Sequence, residues 1–490
     1  DSQKLKAAAI VVVAIFLALY LGVSVATAQF ETVAWVVGVA TLLICALMGH
    51  RIWMLIPLLG SLNFTLAVPG SPSTTQLSQI LVIGFSFMLF LMRRLPFRLR
   101  VSEIEVWCFI TLFCVVQVYL RNPVGLNIMG ASAVGARPYA YFALTFMAAF
   151  LFLGLRVNER DLKWLFPLTV TGGCLGFAMS VFGYFVPSIG AYYGAVNVTG
   201  DRQIVRTGAE QATRVGFLGN FARNLALWIA AKVSPLRASF HPLWLMPILI
   251  AFACAAGSGY RNVLAYIGLT FLAGIFYRDG LKGLIISAIV GIVALISLVL
   301  LNSIVSLPLN AQRALSFLPG NWDSRVVRDA ENSTDWRVDM WKEALFTENW
   351  IENKVLGDGL GMSAREVQWI GTLKATMMNS KLREGDLTLQ QEIMMASGDY
   401  HSGPVHLVRV IGYVGLILVL LAMFRIAVHG HRQILRARGT SWYPLALLIG
   451  IPTIVSPLYF VFVFGSFAGA MGIVLTGGSM VRLLENNMPR

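Results

Sequence analysis

Residues 281–305 have the sequence LKGLIISAIVGIVALISLVLLNSIV, in which Lys282 is the only charged side chain. As an α-helix this stretch extends about 37 Å at 1.5 Å per residue, enough to cross a hydrocarbon layer of roughly 30 Å. Its apolar residues are continuous and do not alternate with polar ones, as those of barrel strands do. Because a helix satisfies its own backbone hydrogen bonds in lipid, the stretch predicts a membrane-spanning helix.

Similar stretches recur along most of the chain. Of its 490 residues, 57% are hydrophobic and 13% are charged, and the mean hydropathy is +0.72. Soluble domains have about 25% charged residues. The composition therefore predicts an all-α polytopic membrane protein, and the hydropathy along the chain predicts about 14 transmembrane helices. The predicted spans are 7–27, 32–49, 52–68, 77–92, 103–120, 137–155, 164–187, 214–231, 242–257, 262–277, 281–305, 404–427, 442–462 and 464–482.

The net charge of +14 is unevenly distributed. Residues 306–401 carry 14 of the 24 acidic residues but only 10 of the 38 basic ones. Of the other 28 basic residues, 12 are concentrated in four short connectors, at 93–100, 156–163, 277–282 and 429–439. Cytoplasmic loops of membrane proteins are enriched in Lys and Arg. We therefore expect these connectors and both termini in the cytoplasm, and no nucleic-acid partner.

The alternation of spans predicts three parts. Residues 1–305 contain transmembrane helices 1–11, residues 306–403 form an extracytoplasmic loop, and residues 404–490 contain helices 12–14 and a cytoplasmic C-terminus. The apolar residues 7–23 also fit a secretory signal sequence, but no clear cleavage-site pattern follows them, which favours a first span. Residues 188–213 and the turn GSGYRN at 257–262 are the other notable outer segments.

The outer loop is too long for a simple connector, which indicates a functional role. Within it, STDWRVDMWKEALF at 333–346 predicts a helix. Ser333, Thr334 or Asp335 is the expected N-cap. The helix has an apolar stripe that we expect to rest on the membrane domain or the lipid interface, formed by Trp336, Met340 and Leu345.

No metal site is predicted. The five cysteines fall inside apolar segments without ligand spacing, which is typical of small buried residues: Cys45, Cys108, Cys114, Cys174 and Cys254. Asp335 and Asp339 are four residues apart, but they bracket Arg337 on the predicted helix, where a solvated acidic face is favoured.

Cationic side chains near the outer surface run against the usual charge bias of membrane proteins. Three arginines and a histidine belong to this set: Arg214, Arg261, Arg337 and His401. A single outer arginine usually anchors lipid headgroups, and a single histidine is usually structural. The four on one face favour a shared anionic ligand, because guanidinium groups bind phosphate in a bidentate manner and a histidine can act as a general base.

Three further residues are candidates for supporting roles. Trp341 follows Arg337 by one helical turn, and Asp399 either orients His401 or belongs to the acidic surface of the loop. Arg223 lies nine residues after Arg214, about 13 Å along a helix, and so inside the bilayer. It forms a structural ion pair there or binds a lipid diphosphate.

Four stretches resemble the O-antigen ligase and O-antigen polymerase superfamily of bacterial membrane glycosyltransferases. They are RVGFLGNFARNLA (214–226), GSGYRNVLAYIGL (257–269), DWRVDMWKEAL (335–345) with GDGLGM (357–362), and HSGPVHLVRVIGYVGL (401–416). The family pattern has a histidine, usually followed by asparagine, before a helix with two glycines three residues apart. Gly412 and Gly415 select His401 over His406, although Ser402 replaces the asparagine and Gly403-Pro404 is atypical.

This resemblance implies a GT-C-like fold and an undecaprenyl-diphosphate-linked glycan donor. It implies that Arg261 and Arg337 bind the diphosphate, with Arg214 as a weaker candidate, and that His401 activates or orients the acceptor hydroxyl. The reaction it implies inverts the anomeric carbon without a metal, a nucleotide sugar or a cofactor. The acceptor is a glycan or a lipid-linked glycan, and other polysaccharide-assembly proteins are expected partners in the bacterial inner membrane, with the active site facing the periplasm.

Three functions stay open on this basis. A polymerase that builds O-antigen, capsule or exopolysaccharide is favoured by chain size, and a ligase that attaches glycan to lipid A-core needs the same chemistry. A lipid-linked oligosaccharide flippase is the alternative of another class, but transporters usually show repeated halves, and this sequence has no visible repeat. A purely structural role as a membrane scaffold would not explain the arginines near the outer surface.

Overall fold

The computed structural model describes residues 30–65, 71–124, 135–186, 190, 204–207, 210–213, 215–362, 364–379, 392 and 394–488. Within them the regular secondary structure is helical apart from one short hairpin. The α-helices are Phe30–Met48, Leu55–Leu62, Thr74–Leu91, Glu103–Arg121, Arg137–Gly154, Glu159–Lys163, Leu165–Phe185, Gly216–Lys232, Pro235–Ala238, Pro242–Gly257, Arg261–Ile304, Leu309–Leu315, Ser324–Phe346, Ala364–Asn379, Gly403–Ala437, Tyr443–Phe462, Phe467–Met471 and Gly478–Asn487. A 3₁₀-helix spans Gly49–Met54 and a π-helix spans Gly472–Gly477.

Nine helical segments of the described chain are long and apolar enough to cross a membrane. This confirms a helical membrane protein. The predicted span at 7–27 lies outside the described residues. The predicted spans at 214–231 and 242–257 correspond to helices of only 17 and 16 residues, so the count of fourteen stays a prediction.

The segment Arg261–Ile304 is a pair of helices joined at a sharp break. Its 44 residues would extend roughly 66 Å as one helix, about twice the hydrocarbon thickness. Gly280 interrupts it with φ 71° and ψ −160°, a backbone conformation that favours glycine. The break falls between the two spans predicted at 262–277 and 281–305.

The chain divides into two compact units. One comprises Asp1–Trp53 and Gly84–Leu95, and in its described part it consists mainly of the helix Phe30–Met48 and the end of Thr74–Leu91. The other comprises Met54–Ile83 and Pro96–Arg490. All of the site residues described below belong to this second unit.

The core of the second unit is formed where Gly403–Ala437 packs against Tyr443–Phe462. Small residues permit the close approach: a Cβ at Gly430 would lie 2.3 Å from Thr453 Oγ1. Because lipid offers no hydrophobic driving force between helices, such close packing is a main source of their association. The hairpin is a minor addition, with antiparallel strands Ile204–Thr207 and Glu210–Thr213 paired from Ile204 with Thr213 to Thr207 with Glu210.

The predicted helix in the outer loop exists but starts earlier. It spans Ser324–Phe346, and we call it the loop helix. The expected N-cap at residues 333–335 is wrong, because Asp323 caps the helix by accepting a hydrogen bond from the Arg325 backbone N–H at 2.9 Å. Six of the nine residues at 324–332 are polar or charged, and apolar periodicity therefore did not predict these helical turns.

Candidate functional site

The predicted catalytic histidine lies in a tight turn of three residues, Asp399–His401, which we call the histidine turn. His401 has φ 51°, a left-handed conformation that is uncommon for residues other than glycine. Its Nδ1 atom lies 3.0 Å from Asp399 Oδ1. An ionised carboxylate only accepts hydrogen bonds, so Nδ1 donates and Nε2 is left as the basic nitrogen. The predicted pairing of Asp399 with His401 is present in the structure.

The electrostatics of Asp399 favour its ionised form. Burial by itself would raise the pKa of this carboxyl, but the hydrogen bond from His401 and the positive potential of His401 and His406 outweigh burial. The pKa of Asp399 is therefore lowered from its ordinary value. An anionic Asp399 fixes the tautomer and orientation of the imidazole, as carboxylates beside catalytic histidines do.

Aromatic side chains hold the histidine turn in place. The His401 ring lies edge-to-face against Trp336 and Phe464, with centroid distances of 6.2 and 5.6 Å. Trp341 donates from Nε1 to the Tyr400 carbonyl at 2.7 Å. The loop helix thus supports the turn from two successive helical turns, which gives Trp341 a positioning role.

The apolar stripe of the loop helix rests on the start of the helix that follows the histidine turn. Met340 is buried in one cluster with Val405 and Val408, and Trp336 and Leu345 pack against it. The predicted docking of the stripe on the membrane domain is therefore confirmed. Each buried side chain of this kind contributes roughly 1.5–3 kcal/mol, which holds the loop helix beside His401.

The structure places the predicted arginines in different surroundings. Arg337 is half-buried on the loop helix, between the two tryptophans that contact the histidine turn. Arg261 donates from Nε to the Arg313 carbonyl at 3.1 Å and from its terminal nitrogen to Ser316 Oγ at 3.2 Å. Arg261 therefore ties the outer turn to the helix Leu309–Leu315. Arg214 lies outside the described residues.

Arg223 lies in a cavity of 520 Å³, which we call the arginine cavity. Its guanidinium donates to the Tyr459 hydroxyl at 3.0 Å and lies 5.6 and 5.5 Å from the ring centroids of Tyr266 and Tyr459. Its Nε atom is buried without a hydrogen-bond partner among the described residues. In the described part of the chain, no ion pair with an acid is found for it, which disfavours the structural ion pair considered from sequence.

The lining of the arginine cavity suits an anion. Among the described residues, Arg223 is its only charged lining residue, and amide and hydroxyl groups supply most of the remaining polar contacts: Asn63, Asn220, Asn224 and Ser456. Phe464 also lines the cavity and contacts the His401 ring. The histidine turn is therefore separated from the cavity by a single aromatic side chain.

A second cavity of 510 Å³ adjoins the arginine cavity and shares six lining residues with it: Gly60, Ser61, Leu227, Ser456, Gly469 and Ile473. None of its described lining residues is charged, and apolar side chains such as Phe152 and Leu448 predominate. The two together offer a cationic compartment joined to an uncharged one. This arrangement suits an amphipathic ligand with an anionic head and an apolar chain.

The predicted turn at GDGLGM packs on the helix that follows His401. Gly357, Gly359 and Gly361 all have positive φ angles. The turn and the preceding residues hydrogen bond to the helix, with Asp358 N–H donating to the Arg409 carbonyl at 2.8 Å. The helix Gly403–Ala437 is itself broken at Gly412, with φ 71° and ψ 179°, and we call it the kinked helix.

Arg409 was missed as a site residue by sequence reasoning, and His406 was set aside in favour of His401. Arg409 is buried and binds Glu366 Oε1 at 2.7 Å, with Asp358 Oδ2 at 3.9 Å. His406 accepts a hydrogen bond from the Phe467 backbone N–H at 3.3 Å. Their one-turn spacing on the helix after His401 was the available indication. The acidic partners of Arg409 lie 43 and 51 residues away in sequence and cannot be paired locally.

Within the described residues, no group of three or more His, Cys, Asp or Glu side chains is placed to hold a metal ion. A scan against models of protein families finds no match for this chain, and a search of curated proteins finds none either. Fold and site thus define the chain as a helical membrane protein. It carries a histidine–aspartate pair beside an arginine-containing cavity.

Proposed function

We propose that the chain is a membrane glycosyltransferase that uses an undecaprenyl-diphosphate-linked oligosaccharide as donor. It transfers or polymerises this glycan on the extracytoplasmic face, in the assembly of O-antigen, capsule or exopolysaccharide. One observation carries the proposal: His401, paired with Asp399, contacts the wall of a cavity that holds an arginine and continues into an uncharged compartment. A lipid diphosphate has the complementary anionic and apolar parts.

In this reaction His401 accepts the proton of the acceptor hydroxyl on Nε2 while Nδ1 stays bonded to Asp399. The hydroxyl oxygen attacks the anomeric carbon, and the bond from that carbon to the diphosphate oxygen breaks with inversion. Arg261, Arg337 and Arg214 are the proposed ligands of the departing diphosphate, and Arg223 binds it from inside the cavity. Charge-assisted hydrogen bonds to a leaving group are usually the largest contribution to such catalysis.

The finer topology belongs to the same proposal. It comprises about fourteen spans, a GT-C-like fold, cytoplasmic termini and a location in the bacterial inner membrane with the site facing the periplasm. The break at Gly280 supports it, because it divides a segment too long for one crossing into two. The proposed partners are the lipid-linked donor, a glycan or lipid-linked acceptor, the bilayer and other polysaccharide-assembly proteins.

The direct test reconstitutes the purified protein in liposomes with a lipid-linked glycan and measures product length or transfer. We expect His401→Ala to abolish transfer with donor binding unchanged, and added imidazole to restore part of the activity. Asp399→Asn should reduce transfer by roughly tenfold or more, whereas Asp339→Asn, on the exposed face of the loop helix, serves as the matched control. Glycan transfer by His401→Ala at the wild-type rate would show that His401 is not the base that activates the acceptor hydroxyl.

The arginine cavity is tested through Arg223. Arg223→Met should weaken donor binding, and Arg223→Lys should retain part of it, because an ammonium keeps the charge but not the planar fork. Arg432→Met, a change at an exposed position outside the cavity, is the control. Donor binding that is equal in Arg223→Met and Arg432→Met would remove the cavity from the mechanism.

The same assay separates the other candidate functions. An O-antigen ligase would transfer the glycan to lipid A-core but would not lengthen lipid-linked repeats. A flippase would move lipid-linked oligosaccharide across the liposome membrane without forming a glycosidic bond. Polymerase activity is favoured here from sequence length, and product analysis with each acceptor decides between polymerase and ligase.

A further inference from the structure

A separate cavity of 430 Å³, which we call the basic pocket, lies far from the histidine turn. The kinked helix begins two residues after His401 and ends next to Arg438, which lines the basic pocket. The helix is broken at Gly412, and the 25 residues after the break, 413–437, alone extend about 37 Å at 1.5 Å per residue. Lys232, the last residue of Gly216–Lys232, also lines the pocket. The basic pocket therefore belongs to the membrane face opposite the histidine turn.

Two arginines of the basic pocket have structural roles. Arg278 donates from Nε to the Ala230 carbonyl at 3.1 Å and from its terminal nitrogen to the Ala231 carbonyl. These carbonyls belong to the last turn of a helix, where backbone acceptors lack helical partners. Arg237 Nε lies 2.9 Å from Asp279 Oδ1. Asp279, the only acid among the described lining residues, is thus already paired.

Lys232 and Arg438 are the other two Lys and Arg residues that line the basic pocket. Both side chains are exposed, and neither has a hydrogen bond or ion pair with any residue that the structure describes. Trp244 and Tyr443 line the same pocket, and such aromatic side chains are enriched where membrane meets water. Two cationic side chains therefore border one concave site without a carboxylate available to neutralise them.

We propose that the basic pocket binds the phosphate group of an anionic membrane lipid, with Lys232 and Arg438 as its ligands. Basic pockets between transmembrane helices are suited to phosphate headgroups. Large apolar side chains are exposed directly beside Trp244, namely Phe240, Leu243 and Met246 at 72, 78 and 60%. They offer a surface for acyl chains, which favours a lipid over free phosphate. The site is independent of the proposed glycosyl transfer.

The simplest competing explanation is the positive-inside bias alone. That bias accounts for cations on one membrane face, but it requires neither a cavity nor their convergence on it. It also predicts that any exposed cation on that face has the same effect on lipid binding. Arg160 and Arg432 are exposed basic residues of predicted cytoplasmic connectors outside the pocket, and they provide the matched comparison.

The test is native mass spectrometry of the full chain in neutral detergent, titrated with phosphatidylglycerol or with phosphatidylcholine of the same acyl chains. Lys232→Gln and Arg438→Gln should each weaken phosphatidylglycerol binding about fivefold, and together roughly thirtyfold. The Arg160→Gln, Arg432→Gln double variant should bind as the wild type does. Thermal unfolding in detergent without added lipid verifies that all variants are folded.

Three results would overturn the proposal. Equal loss of phosphatidylglycerol in the pocket variant and the control variant would leave only a general surface effect. Equal binding of phosphatidylcholine and phosphatidylglycerol by the wild type would exclude recognition of the anionic phosphate. Displacement of bound phosphatidylglycerol by millimolar inorganic phosphate, with a matching phosphate adduct, would assign the pocket to free phosphate instead of lipid.

Discussion

Replacing Gly412 by alanine should release the outer loop from the kinked helix. Gly412 has φ 71° and ψ 179°, a region that is essentially restricted to glycine and costs other residues about 1–3 kcal/mol. A Cβ at this position would lie 2.2 Å from the Val355 carbonyl oxygen and 2.3 Å from its carbon. Such distances are well inside van der Waals contact, so the backbone of the loop must move away.

The movement of the loop backbone breaks two hydrogen bonds between the loop and the kinked helix, and their loss sets the size of the destabilisation. Tyr413 N–H donates to the Lys354 carbonyl at 2.8 Å, and Val414 N–H donates to the Val355 carbonyl at 3.2 Å. Each hydrogen bond contributes about 1 kcal/mol. With the backbone penalty, we expect Gly412→Ala to destabilise the docked loop by roughly 3–5 kcal/mol.

Hydrogen exchange of the purified protein, followed by mass spectrometry, measures this directly. Amides of residues 354–361 and 413–414 should exchange about a hundredfold faster or more in Gly412→Ala. Gly268→Ala is the matched control, because Gly268 lies inside a helix and a Cβ there meets no atom within 4 Å. Unchanged exchange in Gly412→Ala would show that backbone contact with Val355 does not hold the loop.

Three further outcomes are expected. Because the pKa of Asp399 is lowered in the folded chain, its stabilising contribution is present above about pH 4 and is lost as pH falls through the folded value. Acid unfolding monitored by fluorescence should therefore lack the pH-dependent contribution of Asp399 in the Asp399→Asn variant. Trp341→Phe removes the hydrogen bond to Tyr400 and should lower the free energy of unfolding by about 1 kcal/mol and reduce transfer activity. Trp164→Phe, at an exposed position, should change neither quantity. Transfer should persist in EDTA, and a chelator-sensitive activity that returns with a divalent cation would contradict the metal-free mechanism.

Part of the candidate site was accessible from sequence because its members are local. Asp399 and His401 are two residues apart, and a carboxylate so close to an imidazole is easily paired. Trp336 was assigned to the apolar stripe and Trp341 to a supporting role from sequence, and both contact the histidine turn in the folded chain. The start of the loop helix at Ser324 was missed, since most residues of its first turns are polar or charged.

Contacts between residues that are distant in sequence could be identified only in the folded structure. Arg261 was grouped with His401 from sequence, but its described contacts are with Arg313 and Ser316. Arg223 was assigned to a membrane helix from sequence. In the structure it lies between two tyrosine rings and in a cavity bordered by Phe464, which is 241 positions further along the chain. No local pattern links residues at such separations.

The sequence by itself determined that this is a helical membrane protein and where many of its helices run. The physical reason is that transfer into lipid depends on the composition of each segment, and that backbone groups there must be satisfied within the segment. Only the tertiary structure decided which charges share a cavity, which are used in internal contacts and where Gly412 breaks its helix. Those features depend on packing between segments distant in sequence, where a single carbonyl or ring sets the geometry.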